Sequence, residues 1–406
     1  MFPRKLAPRA EALLSFIAGQ WEITPEGGLS TTNHGVILLE QILIQTVQAN
    51  TRLETIEVAR CASTAIRDVV KGGNATLLYL EERFKELVTE AEASELAEYH
   101  LVTRCHFGLS VGQDFEVKIR NAAARFTVAR PAYDLSEFFA GVAGNVNLDQ
   151  PFGGAYAVLP VRARSSEAAL HVGSKNIDLL FGALTFALEF GSLSSLPNPG
   201  IPIARAFPGK EIGLFRPDGS RCDDYTLFFP TVPACVFRTA LDIPARWERV
   251  RSVVWTTRKS QLQYYEDFWR LYFHALAEPD VEGRVIRLWK VVEYVTFSNS
   301  EDEACRRIAA PFGPEAREIV ALVFDALRMR RNWIAHNAGV GIHQDGVFEL
   351  ARDAVERFMW RSASKEFPRV QDWRAFLELS QGKHTPEQLE LAAELIKRRD
   401  APSDAE

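Results

Sequence analysis

Cysteine is sparse and dispersed. The five residues in 406 (Cys61, Cys105, Cys222, Cys235 and Cys305) form no Cys-x-x-Cys pair and no cluster with histidine. That excludes a disulfide framework and a structural zinc site as organising features. Net basic charge is missing too. The formal charge of −6 argues against bulk binding of a polyanion, so any nucleic-acid contact needs a local basic patch. Lysine is scarce: 36 of the 47 basic residues are arginine. Arginine favours planar, bidentate contacts, although a GC-rich coding sequence would leave the same bias. The longest apolar run, residues 179–188, is bounded by Asp178 and Glu189 and is too short to span a bilayer. Met1-Phe2-Pro3-Arg4-Lys5-Leu6 has no apolar stretch behind its basic residues, so no signal peptide is expected. The chain is read as cytoplasmic, with no membrane partner.

Several catalytic signatures are absent as well. Gly339-Val340-Gly341 followed by Gly346 fails the dinucleotide-binding spacing and follows no strand. Ser165-Ser166 and Ser194-Ser195 have no Gly-x-Ser-x-Gly context, which leaves a serine hydrolase unsupported. No internal repeat is evident.

The composition that remains is ordinary for a globular protein, with 47% apolar and 25% charged residues. The length suggests more than one domain. Residues 1 to about 100 are mixed. Between 36 and 58 the apolar residues partly alternate, which fits strands and, almost as well, a helix, whereas 75–96 carry a clear helical period through Leu77, Leu80, Phe84, Leu87 and Val88. Residues 100–240 read as β-rich, with short runs such as Phe126-Thr127-Val128, Tyr156-Ala157-Val158-Leu159 and Tyr225-Thr226-Leu227-Phe228-Phe229 around one buried helix over 176–190.

After Pro244 the sequence turns helical and holds seven of its eight tryptophans, which places a domain boundary near 245. Helices are expected over 261–277 and 281–297, then from Pro314 onward with Ile319, Leu322, Val323 and Ala326 as its core stripe, and over 348–360. A last polar helix is expected from Thr385-Pro386-Glu387-Gln388, and a disordered tail from 401. The expected fold class is α+β, with a mixed, β-rich region over 1–245 and a helical bundle over 246–400.

The chemistry concentrates in Arg328-Met329-Arg330-Arg331-Asn332-Trp333-Ile334-Ala335-His336-Asn337-Ala338-Gly339, at the end of the helix opened by Pro314, with Gly339 a suitable terminator. A guanidinium that keeps its charge and an imidazole that titrates near neutrality suit phosphodiester cleavage. His336 can take the proton from a ribose 2′-hydroxyl or protonate the leaving 5′-oxygen. Arg331 can stabilise the charge on the phosphorane, Arg330 or Arg328 can place the backbone, and Asn332 can orient His336 or the phosphate. This route needs no metal and no cofactor, gives a 2′,3′-cyclic phosphate, and so requires RNA.

Spacing alone carries little. With 36 arginines and 8 histidines, an arginine five positions before a histidine is expected about 0.7 times by chance. The Asn after Arg331 and the position at the end of an amphipathic helix are what raise the pattern above chance. On a regular helix Arg331 and His336 lie about 140° apart, whereas Asn332 and His336 share a face. A two-fold contact between two copies would bring two such motifs together. His343 reads as a solvated loop residue, and Tyr264, Tyr265 and Trp269 as core rather than a base-stacking platform.

The Arg-Asn-x-x-x-His arrangement resembles the HEPN superfamily, whose hallmark is an arginine, a polar residue and a histidine near the end of a helix in a four- or five-helix bundle. Leu288-Trp289-Lys290-Val291-Val292-Glu293-Tyr294 is similar to the second helix of that fold, with Glu293 at its acidic position. A β-rich part ahead of such a bundle resembles the ApeA-like proteins of bacterial antiphage defence. The resemblance implies a metal-independent endoribonuclease, acting as a homodimer with the motifs facing each other and answering a phage-derived trigger. Arg331, Asn332 and His336 would be catalytic, and Arg328, Arg330 and Glu293 would bind substrate. The alternative is a non-catalytic HEPN-type scaffold that dimerises and binds a protein or nucleic-acid ligand.

Overall fold

The structure, a computed structural model, describes residues 6–105, 114–129, 131–133, 155–190, 206, 208–228, 243–254, 259–336, 346–364, 366–380 and 390. The protein is α+β and divides into two compact units, residues 1–99 with 161–173, and residues 100–160 with 174–406. No helix among the described residues is long and apolar enough to cross a membrane.

The first unit is helical: α1 (Ala7–Ala18), the short hairpin β1 (Glu22–Ile23) and β2 (Leu29–Ser30), α2 (His34–Gln45), α3 (Thr55–Lys71) and α4 (Leu77–Ala93). The ambiguous stretch 36–58 is therefore most of α2, a connection over 46–54 and the start of α3. In α2 apolar residues occupy both faces, so no clean period is visible in the sequence. Its start is set locally, by the Asn33 side chain accepting from the Gly35 amide at 3.0 Å. Glu54 and Glu57 form a capping box on α3, and the clear period over 75–96 is α4. Leu14, Ile17, Leu43, Ile66, Val69 and Leu80 centre the unit's core.

The second unit holds most of a six-stranded sheet in the order β4-β5-β6-β3-β7-β8, in which the β4–β5, β5–β6, β3–β7 and β7–β8 pairs are antiparallel. Its strands are β3 (Ala97–Cys105), β4 (Phe115–Ile119), β5 (Ala122–Thr127), β6 (Ala155–Ala163), β7 (Pro208–Phe215) and β8 (Arg221–Phe228). The helices are α5 (Ser166–Glu189), α6 (Ile243–Val254), α7 (Lys259–Ala277), α8 (Val281–Thr296), α9 (Glu301–Ala309), α10 (Pro314–His336), α11 (Gly346–Ser362) and α12 (Val370–Leu379).

The boundary expected near 245 falls inside this unit, and α5 is the reason. One side of α5 faces the sheet, with Phe181 edge-on to Phe126 at 5.7 Å. Another faces the helices, with Phe186 edge-on to Phe268 and Tyr272. At Gly182 a Cβ would sit 2.1 Å from the Trp269 carbonyl oxygen, so only glycine allows α5 and α7 to approach this closely. The sheet and the bundle are thus packed on one helix rather than strung as separate domains. Trp269, Tyr264 and Tyr265 are buried, the two hydroxyls bonding Val295 O at 2.7 Å and Ser362 Oγ at 2.8 Å, so they are core. Of the helix expected from Thr385 only residue 390 is described, and it is helical; the tail from 401, Gly339 and His343 lie outside the described residues.

Candidate active site

The motif rides on α10, a regular helix that runs through His336. Its core face is Val320, Phe324, Leu327 and Ile334. This corrects the stripe expected from the sequence: Ile319 is 65% and Leu322 70% exposed. With Met329 at 64% and Trp333 at 39% exposed, these residues form a second apolar row on the side turned away from the core, following the helical repeat. One helix thus carries two apolar stripes, and periodicity alone cannot say which is buried.

Between the stripes lies the polar row Arg328, Asn332 and His336, spaced four apart along one face. Arg331 sits about 100° round from Asn332, toward the start of α9. The turn between α8 and α9 presents that start. Phe297 takes a left-handed conformation (φ 53°), and Arg307 Nη1 donates to the carbonyls of Thr296 and Phe297 at 2.8 and 2.9 Å. Ser298 Oγ donates to Glu303 at 2.9 Å, and Glu303 also pairs with Arg307 at 2.9 Å. The turn is therefore pinned from within α9, and the acidic run Glu301-Asp302-Glu303 opens the helix, where carboxylates are favoured by the exposed amides.

Two of those carboxylates meet the motif. Arg331 Nη1 donates to Glu301 Oε1 at 2.8 Å and to Asn332 Oδ1 at 2.7 Å, while Asn332 Nδ2 donates to Glu301 Oε2 at 3.1 Å. Arg328 pairs with Asp302 and, at 3.1 Å, with Asp325 on its own helix. Arg330 is half-buried and lies on another side of α10. His336 is exposed and makes no hydrogen bond or ion pair among the described residues.

The structure therefore joins Arg331 to Asn332 and leaves His336 apart, about 140° from Arg331 around the axis. Glu293 is not brought to this group. Its carboxylate accepts the indole N–H of Trp289 at 2.8 Å, one turn back on α8. The carboxylate that does meet Arg331 and Asn332 is that of Glu301. Sequence periodicity does not reveal it, because α9 has only nine residues and lies about thirty positions from the motif. Its available signal was the Ser300-Glu301-Asp302-Glu303 run, an N-terminal helix signature.

A cleft of about 500 Å³ in the same unit is lined by Glu116, Lys118, Arg120, Trp247, Glu248 and Arg251, on other elements. Among the described residues no group of three His, Cys, Asp or Glu side chains is arranged to hold a metal ion. Comparisons with family models, with curated proteins and with solved structures found no match to this chain.

Proposed function

We propose that the protein is a HEPN-type endoribonuclease whose active site is completed by a second copy of the chain. The observation that carries this reading is the exposed apolar row Ile319, Leu322, Met329 and Trp333, which runs along α10 to the edge of the polar row ending in His336. A solvent-facing apolar stripe on a helix whose other apolar stripe is already buried calls for a partner. A two-fold contact along it places one α10 against the other, so that each chain's motif approaches its copy.

The chemistry follows from the residue types. A ribose 2′-oxygen attacks the adjacent phosphorus and the bond to the 5′-oxygen breaks, leaving a 2′,3′-cyclic phosphate and a 5′-hydroxyl. The imidazole of His336 takes the 2′-proton, and the imidazole from the second copy delivers one to the leaving oxygen. Arg331 carries the charge growing on the phosphorane, and Asn332 orients the phosphate beside it. Arg328, held between Asp302 and Asp325, serves as an anchor for α9 more than as a phosphate ligand, leaving backbone placement to Arg330. The sheet and the first unit carry the sensing and restraining role, with a phage-derived trigger.

The test is cleavage of RNA by purified chain without added metal. His336→Ala and Arg331→Ala each abolish it while the melting curve stays in place. A His336→Ala variant that cuts at the wild-type rate overturns the reading. A wild-type dimer that binds RNA or protein and cuts nothing makes the chain a scaffold instead.

A further inference from the structure

We propose that Glu301 is a positioning residue of this site, a role that rests on the ribonuclease reading and that the sequence did not suggest. Its two carboxylate oxygens are divided between the two motif residues, Oε1 to Arg331 and Oε2 to Asn332, and the amide oxygen of Asn332 returns to the same guanidinium nitrogen. The three side chains close a ring of hydrogen bonds, and the ring has two consequences.

The first concerns Arg331. An unpinned arginine side chain samples many rotamers, whereas this one is fixed through Nη1 alone. Nε and Nη2 make no hydrogen bond among the described residues. They form the edge of a guanidinium that can grip two phosphate oxygens at once. Glu301 thus spends one corner of the group to aim the useful edge. Both side chains are about one-third exposed, so that edge remains open to an incoming strand.

The second concerns Asn332. Its oxygen faces a donor and its nitrogen faces an acceptor. The flipped amide would set N–H against guanidinium and oxygen against carboxylate, so the ring permits one orientation. The second Nδ2 proton is then directed by Glu301, on the helical face that Asn332 shares with His336. The ring is also held from outside, because Arg307 clamps the turn that presents α9. Asp302, by contrast, pairs among the described residues with Arg328 and bonds neither Arg331 nor Asn332.

A merely structural ion pair between α9 and α10 would behave differently. Partly exposed pairs add little to stability, so a structural role predicts a small change in melting and none in catalysis. The experiment compares full-length wild type, Glu301→Gln, Glu301→Asp and His336→Ala on a short end-labelled RNA. Glutamine keeps the size of Glu301 but has one oxygen for two donors, so the ring opens.

Single-turnover cleavage by Glu301→Gln should fall by about tenfold to a hundredfold, the cost of misplacing a catalytic group by a fraction of its length. Its RNA affinity should be undiminished, since an anion beside the phosphate has been removed, and Glu301→Asp should recover much of the rate. Glu301→Gln cutting at the wild-type rate, with His336→Ala inactive, overturns this inference and leaves the ribonuclease reading intact. A loss seen only in RNA affinity, or one matched by a fall in melting temperature, overturns it as well. A wild-type chain that cuts no RNA removes the reading and the inference together.

Discussion

Two clusters in the second unit use the same chemistry, arginine against glutamate, in opposite surroundings. Arg352 on α11 has no exposed surface and meets Glu189, Glu349 and Glu356 at 3.1, 2.9 and 2.8 Å, with the Tyr272 hydroxyl donating to Glu356. These side chains come from α5, α7 and α11, the helices that tie sheet to bundle. Arg331 meets Glu301 at 2.8 Å but stays one-third exposed on both sides of the pair. Burial, not residue type, separates the two. In the first cluster every charge has been taken out of water and depends on its neighbours. In the second, water screens the pair and a ligand can reach it. The first is scaffold and the second is free to be used.

The largest effect should come from removing the buried arginine. Arg352→Ala strands three carboxylates in the core and should cost about 3–5 kcal/mol, measured by urea unfolding. Arg331→Ala should cost no more than about 1 kcal/mol in the same assay. Equal costs would break the contrast between the clusters.

A smaller effect follows from Glu356, which sharpens the same contrast. Burial pushes its carboxyl up to about 7, against the pull of Arg352 and of the Tyr272 hydrogen bond. The folded state therefore holds this proton more tightly than the unfolded chain, whose carboxylates ionise in the ordinary range near 4.5. Its contribution to stability is complete below about pH 4.5, shrinks as pH rises toward about 7, and levels off above that. Glu356→Gln carries no such proton, so its melting temperature should decline less than that of wild type between pH 5 and pH 8. Parallel pH profiles for the two chains would show that the carboxyl is ionised throughout.

These clusters also mark how far the sequence could be read. Helices α4, α7, α8 and α11 were legible because each has one apolar stripe at a 3.6-residue period. Helix α10 was located correctly and turned the wrong way, since Ile319 and Leu322 belong to a stripe that faces solvent in the single chain. The Arg331-Asn332 pair was visible as adjacent residues. Its third member, Glu301, was not, because α9 is short and no local pattern links residues so far apart in sequence. Glu293 shows the converse case: its position on α8 suggested a site residue, and the structure shows its carboxylate accepting the Trp289 indole N–H one turn away. The boundary near 245 followed a real change in composition. It missed Gly182 and Glu189, whose contacts with α7 and α11 join the two halves.

The smallest expected effect on stability falls on the outer stripe of α10, and it is the most informative for function. Leu322 is 70% exposed, so Leu322→Glu deletes almost no buried contact within the chain, and glutamate is as good a helix former as leucine. The melting curve should hardly move at a concentration where the chain is a monomer. If the stripe is the contact between copies, a charge facing its own image across the two-fold axis is repelled and desolvated at once. The mass measured by light scattering should then fall from dimer to monomer, and RNA cleavage should fall with it, although Arg331, Asn332 and His336 are untouched. A variant that remains dimeric would place the interface elsewhere. A monomer that still cuts would show that one chain suffices, and that Arg331 and His336 meet by a change in α10 itself.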